Sequence, residues 1–343
     1  MVLDFLTADE RTRAQHEFGL AADPAWFMIT PRFRASSHVI VLLLAEATRR
    51  PALALKIARL PGDCTSLARE AACLRDIEAS GLGGYDSIPR VIGYGERHRH
   101  PVLVETALNG SPMDGPTVRS NQAICCARVV SWLIGLQSAS RSQPQGDWHA
   151  RLIGNPLDVL LALLGGAAGD ERLIQETRER TASLHASHVP LVCEHGDVSH
   201  PNLLLTAEGV GVLDWETAEP AGLPACDLFF FLTFIALAQR RWWWRQSHTA
   251  AFDQAFFGPS AWARPYVERY AAALGLSASA LLPLFLATWP RYLAGLVDRL
   301  GERGTSSADR GATAAWLRSN RYYALWRRAM ERSEQVCWND RVV

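Results

Sequence analysis

Asp197, Asn202 and Asp214 stand in two short runs, HGDVSHPN and VLDWE, five and then twelve residues apart. A carboxylate, an amide and a second carboxylate are groups that phosphoryl transfer from ATP uses. One carboxylate accepts the proton of the attacking hydroxyl, and oxygen ligands hold magnesium against the phosphates. In that chemistry Asp197 is the base, while Asn202 and Asp214 supply the metal ligands, Asp214 from a short apolar strand. A cation for the α- and β-phosphates is still needed. Lys56, in PALALKIARL, is the sole lysine among 35 basic residues. An ammonium is a compact point charge and a guanidinium a wide planar fork, so a lysine kept among arginines marks a place where the fork does not fit. The alternative is chance survival. Glu70, on the helical stretch after the lysine strand, is the partner available to orient the ammonium.

The elements that must position these residues change texture along the chain. The first thirty residues predict a short helix, with Thr7 or Asp9 as its cap, running into WFMITPRF. VIVLLLA (39–45) and LALKIARL predict two strands in hairpin relation about EATRRPA. SLAREAACLRDIEASG (66–81) has helical spacing, with Leu67, Ala71, Leu74 and Ile77 on one stripe. IPRVIGYGE and PVLVETALNG add two more strands, so residues 26–108 predict a mostly antiparallel sheet with one inserted helix. NGSPMDGP is loop chemistry, and beyond it the chain turns mainly helical, beginning with AICCARVVSWLIGLQ. Residues 1–108 are expected to form a nucleotide-binding lobe and 109–343 a helical lobe with the catalytic loop and the acceptor site.

Composition narrows the classes. At 343 residues and 37.9 kDa, two lobes are expected. A formal net charge of +0 leaves no overall electrostatic footprint for nucleic acid or an anionic membrane. The start has no basic flank and apolar core of a signal peptide, and the most apolar run, LFFFLTFIALA, is too short to span a bilayer. A cytoplasmic protein is expected. Seven cysteines, odd in number and without a CxxC pair, fit reduced, mostly buried thiols rather than disulfides or a zinc site.

Taken in order, ALKIA, AREAACLR, LVETALNG, HGDVSHPN, VLDWE and PACDLFFF resemble the aminoglycoside phosphotransferase and choline kinase-like family. The resemblance covers roughly residues 29–235. It implies an α+β, bilobal protein-kinase-like fold and an ATP- and magnesium-dependent kinase acting on a small-molecule hydroxyl acceptor, with GTP as an alternative donor. By this resemblance Glu105 and Ala107 offer backbone groups to the adenine. Asp227 is a buried carboxylate tying down the catalytic-loop backbone, and His195 is architectural. No GxGxxG precedes the lysine; RASSH lies where that phosphate-covering loop belongs, which makes Ser36 and Ser37 the candidates there. DWE in place of DFG, with no APE segment after it, favours the small-molecule branch over protein kinases.

Two other readings stay open. A nucleotide-binding pseudokinase scaffold predicts loss of Lys56, Asp197, Asn202 or Asp214, and all four are present. A protein kinase would phosphorylate generic peptides. Glu216 suits a metal-side carboxylate or an arginine partner equally. His200 reads as a solvated loop residue. Tryptophans 242, 243 and 244 read as core packing or pocket lining, and Trp148 is a further candidate for the cleft. From Glu216 onward the chain carries 15 arginines against 11 acidic residues, which argues mildly against a polycationic acceptor and toward a neutral or anionic one. A single-amine acceptor of choline type is also compatible.

Overall fold

The computed structural model describes residues 2–30, 38–62, 65–82, 87–240, 247–302 and 310–338; Ser36, Ser37, Cys64, Trp242, Trp243 and Trp244 lie outside the described residues. The chain divides into two compact units, Met1–Met113 with Pro201–Ala218, and Asp114–His200 with Glu219–Val343. This differs from a single cut near residue 109. Pro201–Ala218 follows the HGD run in sequence yet belongs to the first unit, because its hairpin continues a small sheet begun by residues 111–112.

In the first unit, α1 (Ala8–Phe18) starts at Thr7, whose side chain accepts the Glu10 N–H while the Glu10 carboxylate accepts the Thr7 N–H. Five strands follow: β1 (Trp26–Ile29), β2 (His38–Leu44), β3 (Pro51–Ala58), β4 (Val91–Arg97) and β5 (His100–Thr106). They form one antiparallel sheet in the order β1-β2-β3-β5-β4, with α2 (Thr65–Ala79) inserted after β3. Strand β3 lies inside the sheet, so its last six residues are all buried. Leu43, Leu53, Leu55 and Val104 form the core against the sheet. The small second sheet has the order β6-β8-β9, joining β6 (Ser111–Pro112) to β8 (Leu203–Leu205) and β9 (Val210–Val212) of the returning segment.

The second unit is mainly helical. Helix α3 (Gly115–Ala139) is capped by the Asp114 carboxylate, and α4 (Asn155–Leu164) and α5 (Ala168–Thr181) follow. Strand β7 (Val192–Glu194) leads to the HGD run and pairs with β10 (Glu219–Gly222), the intervening β8 (Leu203–Leu205) and β9 (Val210–Val212) lying in the first unit. The apolar run LFFFLTFIALA lies in α6 (Cys226–Ala238), ten of whose thirteen residues are buried. Then come α7 (His248–Phe256), α8 (Arg264–Leu274), α9 (Ala278–Glu302), α10 (Arg310–Ser319) and α11 (Arg321–Glu331). An aromatic core joins Phe229, Phe252, Phe256, Phe285, Trp289 and Trp338 through edge and stacked contacts. Within α9, Ala278–Arg299 is long and apolar enough to cross a membrane by length and composition, but 67% of its most apolar window is buried. It packs on α4, α5, α6 and α11, as a core helix does.

Candidate active site

Lys56 sits on β3 opposite Ile40 of β2 and Leu103 of β5, and its side chain is only 5% exposed. A buried ammonium needs carboxylate partners. Two are present: Glu70 Oε1 at 2.5 Å and Glu105 Oε1 at 3.2 Å. Glu70 lies on the buried face of α2 next to Ala71 and one turn from Leu67 and from Leu74, which aims its carboxylate into the unit. The same Glu70 Oε1 accepts the N–H of Trp215 at 2.9 Å. One carboxylate therefore joins the strand lysine, helix α2 and the DWE turn. Trp215 is fully buried and donates its ring N–H to the Val212 carbonyl, which fixes that turn.

Asn202 and Asp214 are brought together by hairpin register. Strand β8 pairs antiparallel with β9, Leu203 facing Val212, and Thr206 with Gly209 closes the turn. One step beyond the ladder the Leu213 N–H donates to the Asn202 carbonyl at 2.8 Å. Twelve residues of sequence thus become adjacent backbone. Asp214 follows at φ +67°, a left-handed conformation that costs a non-glycine residue on the order of 1 kcal/mol and recurs where function sets geometry.

Three carboxylates, Glu70, Glu105 and Asp214, act on one ammonium. Burial alone pulls the Lys56 pKa down, but Glu105, Glu70 and Asp214 outweigh it and hold it above the ordinary lysine value. Burial pushes the Glu105 carboxyl up to about 7; Lys56 opposes this, and Glu70 and Asp214 add to it. Glu70 Oε2, Glu105 Oε2 and Asp214 Oδ1 are buried with no hydrogen-bond partner. Magnesium fits these residues: a hard cation takes carboxylate and amide oxygens, and a buried orphan oxygen on Asp214 is a donor awaiting one. Among the described residues no three His, Cys, Asp or Glu side chains converge as metal ligands.

In the second unit the HGD run is held from below. Gly196 takes φ +82°, open to glycine at no steric cost. Asp227, on the first turn of α6, accepts the N–H of His195 at 2.8 Å on one oxygen and that of Gly196 at 2.9 Å on the other. Burial and the nearby Glu194 charge raise the Asp227 pKa to about 7, and those two N–H groups pull against it. Gln137 of α3 donates to Asp227 at 3.1 Å and to the Cys193 carbonyl at 3.2 Å. Tyr270 of α8 donates its hydroxyl to Gln137 and accepts the Ala225 N–H. His195 is fully buried, and its Nδ1 accepts the Asp197 N–H at 3.2 Å, which places the ring proton on Nε2. Ser199 donates its hydroxyl to Asp197 Oδ1 at 2.9 Å, fixing the carboxylate that the sequence marks as base.

The first unit thus brings together Lys56, Glu70, Asn202 and Asp214, and the second holds Asp197, His195 and Asp227. Of the backbone groups near the segment expected to face the adenine, the Ala107 N–H donates to the Ala52 carbonyl and the Thr106 N–H to the Arg90 carbonyl, both at 2.9 Å. Trp148 is buried and lies edge-on to His149, not open to a cleft, and His200 is exposed as expected. Sequence reading missed the Glu105 side chain, Ser199, Gln137, Tyr270 and the buried two-pronged pair of Glu194 with Arg291 at 2.7 and 2.8 Å. Glu70 in an otherwise apolar stripe was a usable signal; nothing local marks the others.

A sequence model of the phosphotransferase enzyme family matches residues 40–272. No curated protein matches the chain by sequence. Among solved structures, a choline/ethanolamine kinase family protein from Mesorhizobium loti aligns with TM-score 0.56 at 17% identity, over 95% of this chain and 98% of its own. A thermostable mutant of aminoglycoside phosphotransferase APH(4)-Ia, in ternary complex with ADP and hygromycin B, gives 0.54 at 15% identity, over 94% and 99%. The choline kinase LicA from Streptococcus pneumoniae gives 0.53 at 11% identity, over 94% and 97%. These likenesses fix the fold as the α+β, protein-kinase-like one.

Proposed function

Because the chain belongs to the phosphotransferase enzyme family, we propose that it moves the γ-phosphoryl group of ATP to a hydroxyl of a small molecule. The observation that carries this reading is the Lys56–Glu70–Trp215 link, set beside a buried Asp214 oxygen that no protein group satisfies. Lys56 contributes a fixed positive charge to the phosphates, and Glu70 keeps it from moving. Asn202 and Asp214 would hold magnesium, which would supply positive charge against the triphosphate. Asp197, fixed by Ser199 and by the loop backbone, orients the acceptor hydroxyl and takes its proton as the oxygen bonds to the γ-phosphorus and ADP departs. The chemistry asks for positioning and charge, and the rigid supports under both sets of residues supply them.

ATP is the donor favoured by the family, with GTP to be compared directly. The test is incubation with magnesium and either nucleotide against aminoglycosides, choline, ethanolamine, sugars and amino alcohols, reading ADP or GDP and acceptor mass together. An acceptor that gains one phosphoryl group for each diphosphate released is the expected result. Phosphorylation of generic peptides in preference to every small molecule, or nucleotide binding with no turnover that depends on Asp197, overturns the reading.

A further inference from the structure

Asp197 has an aromatic and cationic neighbourhood that the transfer chemistry does not use. Phe230 stands one turn beyond Asp227 on α6, the helix that holds the HGD loop. Its ring meets Tyr292 of α9 at 4.4 Å and Tyr322 of α11 at 5.4 Å, and the two tyrosines meet each other at 4.6 Å. Phe230 and Tyr322 are buried, while Tyr292 is partly exposed. Two guanidinium groups cap this cluster: Arg299 lies 5.8 Å from the Tyr292 ring centre and Arg321 lies 4.9 Å from that of Tyr322. Arg321 also donates to the Tyr322 hydroxyl at 3.2 Å. Among the described residues no carboxylate pairs with either arginine.

The cluster and Asp197 feel one another. Burial raises the Tyr292 pKa most, Asp197 and Tyr322 raise it further, and Arg299 and Arg321 oppose them. Tyr322 responds likewise to burial, Arg321 and Asp197. His248 is held below its ordinary value, first by burial and then by the charges of Arg240 and Arg321. Arg321 is the first residue of α11, where the helix dipole disfavours a cation, so folding gains little from a positive charge there. A guanidinium is weakly hydrated, rigid and shaped for two-pronged contact with carboxylate or phosphate. The cluster therefore repels a quaternary ammonium and attracts the opposite charge.

We propose that the acceptor carries an anionic group, a carboxylate or a phosphate ester, which Arg299 and Arg321 bind while Tyr292 flanks the acceptor and its hydroxyl meets Asp197. This rests on the phosphotransferase reading above and narrows it to a substrate class. The aromatic rings set the two guanidinium groups in place, and the anionic group anchors the molecule away from its reacting hydroxyl.

The test uses one sugar ring in several charge forms: D-glucose, D-glucosamine, D-glucuronate and D-glucose 6-phosphate, with choline beside them. ADP release dependent on Asp197 should be greatest for glucuronate or the phosphate ester, and which of the two wins tells carboxylate from phosphate. Arg299→Gln and Arg321→Gln should each raise KM for that acceptor roughly tenfold or more, with KM for ATP within about twofold. A neutral or cationic member as the best acceptor, or an unchanged KM in both variants, overturns the proposal while leaving phosphotransfer intact. A second arm needs no turnover: citrate, without magnesium, should raise the thermal midpoint of the wild type and not that of the doubly substituted protein. Equal shifts, or none, overturn the proposal. If that arm succeeds while no acceptor gives ADP release dependent on Asp197, the failure belongs to the phosphotransferase reading and not to the anion site.

Discussion

Lys56 is the cation that the proposed phosphoryl transfer assigns to the phosphates, and its surroundings explain why it is not arginine. The ammonium is buried between Glu70 and Glu105 at 2.5 and 3.2 Å, with hydrophobic neighbours on both sides of β3. A guanidinium is wider than that space, and forcing it in displaces α2 or the DWE turn, which Glu70 ties together. Lys56→Arg should lower kcat/KM roughly 100-fold, equivalent to about 2.7 kcal/mol of transition-state stabilisation. Steady-state kinetics with ATP as the varied substrate check this, and activity within threefold of wild type contradicts it. The pairing of Lys56 with Glu70 was legible from a charged residue on an apolar helical stripe. Glu105 was not, because its cross-strand partner is Ala54, two residues from Lys56, and only the register of β3 with β5 makes the two side chains meet. Ser199 escaped for a similar reason: its bond to Asp197 depends on the path of the loop backbone.

The elements beneath these side chains carry predictions of their own. Glu105 has its carboxyl raised to about 7, so protonated Glu105 is favoured by folding. Its contribution is complete near pH 4 and is lost as pH rises through about 7. In EDTA the wild type should therefore lose stability between pH 5 and 8, on the order of 2–3 kcal/mol, relative to Glu105→Gln. Urea midpoints at the two pH values check it, and parallel profiles for the two proteins refute it. In the second unit, α3 and α8 reach the HGD loop through Gln137 and Tyr270, neither of which touches Asp197. Tyr270→Phe removes the hydroxyl that Gln137 and Ala225 share, leaving Gln137 less firmly set under Asp227. It should lower kcat about tenfold with KM for ATP unchanged, because the loss is one of aim at the base and not of nucleotide contacts. A rise in KM for ATP with kcat preserved would show that this chain of bonds serves another purpose. The strands and helices were themselves readable from alternation, stripes and caps, as with Thr7 and α1. The joining of α3, α6 and α8 through a buried glutamine was not, since Gln137 lies in a helix whose pattern shows only its apolar face.

Across the molecule, the change from an antiparallel sheet to helices was plain in the sequence, and the family pattern spans the residues that carry it. The return of residues 201–218 to the first unit was hidden, because a two-residue strand such as β6 has no periodicity to detect. That return matters for function. It places Asn202 and Asp214 with Lys56 in one unit and leaves Asp197 in the other, so on the proposed function nucleotide binding and proton acceptance should be separable by substitution. The most direct test of phosphotransfer uses that separation. ADP release in the presence of magnesium and acceptor is measured for wild type and Asp197→Ala, with ATP affinity determined for both by calorimetry. Loss of turnover by at least about a thousandfold, with ATP affinity within about threefold, is the result expected of a base that acts only on the acceptor. Turnover retained in Asp197→Ala contradicts the account.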